Sequence, residues 1–175
     1  MLSFRTFYKI LYMLRKQFLQ TVTLGTSAIA IPAFGFAMPE DPLPGAMVKD
    51  FVIAGHGNLD KVKQMLGDKP ELLYSTFDWG NGDFETALEG AGHVGNKEIA
   101  NYLIGKGART NLFVLTMLGK TQIVKPFLEA FPQYLTARGP HGLTLLHHAQ
   151  KGGGDAKELL DYISGKGLAE TKAKL

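Results

Sequence analysis

The stretch Ser75-Thr76-Phe77-Asp78-Trp79-Gly80-Asn81-Gly82-Asp83-Phe84-Glu85 gathers the sole tryptophan, two phenylalanines and three acids, with Glu89 close behind. Carboxylates this close together are the raw material of hydrolysis, in which one acid donates a proton and the other activates water or attacks. Asp78, Asp83 and Glu89 are the candidates for such a pair. Five histidines admit a metal reading, and His141, His147 and His148 are the nearest set in sequence. Ligation needs donors that converge on one point, and adjacent residues 147 and 148 project to different helical faces. His56 and His93 stand beside glycine turns that end their helices, where a histidine suits the negative end of the helix dipole. All five histidines read as structural first, so no metal and no cofactor is expected. No nucleophile motif, phosphate-binding glycine loop or paired ligand spacing is present; Gly152-Gly153-Gly154 lacks the Gly-Lys-Ser/Thr continuation. The absence of cysteine excludes disulfides, thiolate metal sites and a cysteine nucleophile.

The first 37 residues follow a different logic. Arg15 and Lys16 precede Thr21 to Ala37, a run without an ionisable side chain, and Gly35-Phe36-Ala37 sets small residues where a signal peptidase cuts. Arg15-Lys16-Gln17-Phe18-Leu19-Gln20 resembles the twin-arginine export motif, with lysine in place of the second arginine. A cleaved signal over 1–37, by the twin-arginine or the general route, is expected; a retained membrane anchor is the alternative. Met13 could open a signal of ordinary length. Four of the nineteen basic residues and none of the sixteen acids lie in this segment, leaving fifteen basic against sixteen acidic residues after it. The basic balance therefore belongs to the leader, and nucleic-acid binding loses its electrostatic basis. The expected location is the periplasm or another exported compartment.

The elements that must position the acidic loop come from internal repeats. Thr86, Leu88, Ala91, Gly95, Ile99, Leu103, Gly107 and Ala108 form one unit. A second opens at Thr144-Leu145-Leu146-His147-His148-Ala149, displaced by 58 positions. Two degenerate copies run from Ala54 to Leu66 and from Met117 to Leu128, and align with each other at an offset of 62. These units resemble ankyrin repeats, whose pattern is Thr-Pro-Leu-His, alanines, a glycine turn, an Ile-Val pair, Leu-Leu and Gly-Ala. Ala87 and Glu89 depart from the pattern's proline and histidine. The resemblance implies an all-α solenoid of about four helix-turn-helix repeats with short hairpin-like loops, over residues 46–168. A linker, 38–45, precedes it and a tail, 169–175, follows.

Each second helix carries a single apolar stripe, such as Leu59, Val62, Met65 and Leu66, too narrow to close a core without a stacked neighbour. Small residues Ala91, Gly92 and Ala149 should allow that close stacking. Pro70 and Pro132, each followed by apolar residues, predict an extra turn after the second helices of repeats one and three. Pro126 should loosen its helix unless that helix starts late enough to place it in the first turn.

Ankyrin arrays bind partners with their loop tips and first helices, so the resemblance implies a non-enzymatic protein-binding monomer. The partner-binding face would comprise Asp78, Trp79, Asp83, Phe84, Glu89, His141 and His147. Trp79 and Phe84 are of the types that anchor interfaces, and the acids would give the mouth a negative rim. His147 stands at the repeat's histidine position, which ties repeats together by hydrogen bonds. The competing expectation is that both aromatics pack the loop down, with Asp83 or Glu85 capping the helix that begins near Thr86. Two further alternatives are an accessory factor that protects or assembles an exported enzyme, and a small metal-binding protein or hydrolase built on the acidic loop and the histidines.

Overall fold

Four pairs of helices follow one another along residues 41–173, the part of the chain that the computed structural model describes. The signal-peptide reading of 1–37 lies outside those residues. The pairs are α1 (Gly45–Gly55) with α2 (Leu59–Asp68), α3 (Ala87–Val94) with α4 (Lys97–Gly105), α5 (Leu112–Met117) with α6 (Thr121–Ala130), and α7 (Leu145–Gly152) with α8 (Lys157–Gly165). Short polar side chains set many of the helix starts. Asn58, Asn96 and Asn111 accept backbone N–H groups at 3.0 Å each. Thr86 and Glu89 form a reciprocal capping box at α3. The expectation that Asp83 or Glu85 caps this helix is therefore corrected: threonine at 86 already holds the free amide, and both acids face elsewhere.

Helix α1 packs on α3, α3 on α5, and α5 on α7, while each pairs with its own second helix. The second helices α2, α4, α6 and α8 bury Val62 and Leu66, Ile99 and Leu103, Val124 and Leu128, and Leu159 and Ile163. Each pair is separated by four positions, one narrow stripe per helix, so the core exists only because neighbours cover it. Close stacking rests on residues without bulk. Ala91 and Ala149 are fully buried, a side chain on Gly92 would press on Val114 at 3.0 Å, and Gly55 lies so near the Ala87 backbone that a Cβ has no room.

The expected extra turns are present as 3-10 helices at Pro70–Tyr74 and Pro132–Thr136. The late start that would place Pro126 in a first turn is not found. Helix α6 begins at Thr121 and runs through the proline, which is exposed, to Ala130. The tail is not loose either: Thr144 donates from its N–H to the Thr171 carbonyl and from its hydroxyl to the Glu170 carbonyl. No helix among the described residues is long and apolar enough to cross a membrane.

Candidate functional site

Between the first 3-10 turn and α3 the acidic stretch folds as a hairpin, with β1 (Phe77–Asp78) antiparallel to β2 (Phe84–Glu85). Its tip is Gly80-Asn81-Gly82, all at positive φ, a conformation that glycine adopts freely and asparagine tolerates. The Asp78 carboxylate accepts the Gly80 N–H at 2.8 Å, and Trp79 donates its backbone N–H to the Asp83 carbonyl at 2.8 Å. Strand alternation then sorts the side chains. Asp83 and Glu85 turn inward, at 8% and 0% exposure, and Phe84 turns outward at 56%. Asp78 is exposed on the same outer side.

A fully buried carboxylate requires partners, and Glu85 finds imidazoles and an indole. Trp79 donates its Nε1–H to Oε2 at 2.9 Å. Three histidines stand around it: His93 Nδ1 at 3.0 Å and His56 Nε2 at 3.5 Å from Oε1, and His141 Nε2 at 3.5 Å from Oε2. Burial opposes ionisation of Glu85, but the imidazoles, His93 foremost, outweigh it and hold the carboxyl below its ordinary range. Oε1 of Glu85 and Nδ1 of His93 nevertheless lack hydrogen-bond geometry toward each other and have no hydrogen-bond partner.

The histidines are oriented from behind. His56 donates Nδ1–H to the Val52 carbonyl at 3.0 Å, its ring packed against Gly90, where a Cβ would come within 2.8 Å of it. His141 donates both its backbone N–H and Nδ1–H to Asp83, at 2.7 Å each. Its backbone is left-handed, φ 59° and ψ 17°, a conformation that costs roughly 1–2 kcal/mol without glycine. The double bond to Asp83 holds it there. Asp83, although burial works against its charge, is kept below the usual carboxylate range by these hydrogen bonds and by the His141 and Lys172 charges.

Of the residues expected to face a partner, Trp79, Asp83 and His141 are drawn into this cluster. Glu89 caps α3 and also accepts from Asn111 at 2.6 Å, linking α3 to the cap of α5. His147 donates Nε2–H to the His93 carbonyl at 2.8 Å, the tie between helices that the repeat position implies. Only Phe84 and Asp78 of the set remain exposed. The aromatic expectations thus divide: Trp79 packs, edge-on to Phe77 at 4.8 Å between ring centroids, and Phe84 does not.

The chain matches no family model and no curated protein. What the site can do rests on its own geometry. One donor atom from each of His56, Glu85, His93 and His141 lies within 4.8 Å of the others. His141, His147 and His148 are the nearest histidines in sequence; the structure separates His147 and His148 from the cluster and brings His56 and His93 to it. A signal was present in the register: where Glu85 precedes α3, the equivalent position 58 residues on, ahead of α7, carries leucine (Leu143).

Proposed function

We propose that the chain is an ankyrin-type repeat array, exported, that binds a partner protein at the hairpin and at the turn facing it. The observation that carries this reading is Phe84: a large apolar ring held 56% exposed on a hairpin whose every other aromatic is tucked inward. Beside it a cavity of about 300 Å³ is bounded by Glu89 and Phe113 below and by Arg138, Gly139 and Pro140 across. Scattered exposed apolar residues need no explanation, but an aromatic fixed at the lip of a groove is the pattern of an interface anchor. Hydrolysis by an acid pair is less well supported, because Asp83 is committed to His141 and Glu89 to the α3 cap.

The test is capture by the full chain, cross-linked in the exported fraction of the source cell, in parallel with Phe84→Ala. A discrete protein held by the wild type and lost with Phe84→Ala supports the reading. Equal capture by both chains removes it.

A further inference from the structure

We infer that His56, Glu85, His93 and His141 form a binding site for one divalent transition-metal ion of the zinc class. This goes beyond partner binding and does not depend on it.

Four observations meet at this point. The first is convergence: three imidazole nitrogens and a carboxylate oxygen, each from a different segment, lie within 4.8 Å of one another. Donors bound at 2.0–2.2 Å around a tetrahedral ion sit roughly 3.5 Å apart, and the approaches of 3.0 and 3.5 Å to Oε1 lie at or just inside that spacing. The second is the orphaned pair. Glu85 Oε1 and His93 Nδ1 are buried without a hydrogen-bond partner, an arrangement that is costly unless something sits between them.

The third observation is tautomer control. His56 and His141 each spend Nδ1–H on an oxygen behind the ring, the Val52 carbonyl and the Asp83 carboxylate. When neutral, these rings present Nε2 as a bare lone pair toward Glu85. Imidazole ligands are held in this way, with a carbonyl or carboxylate on the far nitrogen. Trp79 does the same for Glu85 by occupying Oε2 and leaving Oε1 free. The fourth is access. A cavity of about 270 Å³, lined by Ile53, His56, Trp79 and His141, opens over the two outer histidines, which gives an ion a path in. Nitrogen-rich sites with one carboxylate suit zinc, cobalt, nickel or copper over magnesium or calcium.

Bound there, one ion ties the end of α1, the hairpin, the end of α3 and the turn before α7 together. The hairpin that displays Phe84 is then pinned through Glu85.

Cobalt(II) is the probe, since its visible bands report coordination. The full chain, cleared with chelator, is titrated with cobalt(II) and desalted; zinc(II) is added afterwards as competitor. The expected result is one equivalent retained, with visible bands that zinc removes. His56→Gln, at a half-exposed ring, should lose retention while helical content by circular dichroism is unchanged. Asp83→Asn, acting only through the orientation of His141, should weaken binding by about 10–100-fold. No retained cobalt and no retained zinc in the wild type would overturn the assignment and leave the cluster as an internal ion-pair network. Retention equal in wild type and His56→Gln would overturn it too, by placing the metal elsewhere.

Discussion

The two long connections of this molecule occupy equivalent places before α3 and α7, yet they do opposite work. The first, residues 75–86, is a hairpin that carries its own buried charge. The second, residues 137–144, is a single 3-10 turn, Pro140–Gly142, whose one functional side chain leaves home to join the first. Asp83 and His141 are register equivalents 58 positions apart, and in the folded chain they bond to each other. Glu85 and Leu143 are equivalents as well; one seats three imidazoles and the other pairs with the C-terminal tail at Lys172. Helix pairs stacked in the same way can therefore diverge where their connections meet, because a loop is constrained by the neighbour it touches and less by its own helix pair.

The comparison can be broken or sharpened, beginning with the strongest effect. Both halves should share an apolar frame whatever their loops do. Leu103→Ala at 1% exposure and Leu128→Ala at 4% should each cost roughly 2–5 kcal/mol. Denaturant midpoints equal to wild type in either variant would mean that the stacked core is wrong there.

The second half has its own buried histidine. His148 donates Nδ1–H to the Thr144 carbonyl at 2.8 Å; burial drives its pKa from 6.5 down to about 4, the carbonyl opposing and the His147 and His93 charges adding. The unfolded chain takes up this proton near pH 6.5 and the native chain does not. Stability is thus complete above pH 6.5, and about 3 kcal/mol is lost as pH falls from there to about 4. Unfolding curves across that window should be shallower in His148→Gln; parallel curves would show that the imidazole is not the cause.

In the first half, Trp79→Phe keeps the ring packing and removes the donor to Glu85 Oε2. A hydrogen bond to a charged acceptor is worth about 1.5–3 kcal/mol, so a loss in that range is expected by calorimetry. A cost below 0.5 kcal/mol, taking roughly 0.5 as the scale of neutral surface changes, would place the carboxylate's stability with the histidines. The smallest effect belongs to Phe84→Ala, within roughly 0.5 kcal/mol of wild type. A melting point well below the wild type would assign Phe84 to packing and count against its role as an anchor.

Much of the frame was legible in particular residues. Thr86 and Thr144 opened the two clearest units where helices begin; Pro70 and Pro132 announced the extra turns; Ala91, Gly92 and Ala149 announced close stacking. Pro126 lies well inside α6, which tertiary cover of Val124 and Leu128 carries past it. The hairpin was legible as a loop but not as a strand pair. Without the register Phe77 with Glu85, nothing told which of Asp83, Phe84 and Glu85 would face inward.

The sequence by itself determined the helix pairs and the need for stacked neighbours, because these depend on residues within one or two turns of each other. Only the tertiary structure decided which titratable groups meet. His56, Glu85, His93 and His141 share no local spacing; they come together because α1, the hairpin, α3 and the turn before α7 end at one place, and a carboxylate buried there must gather whatever partners that place supplies.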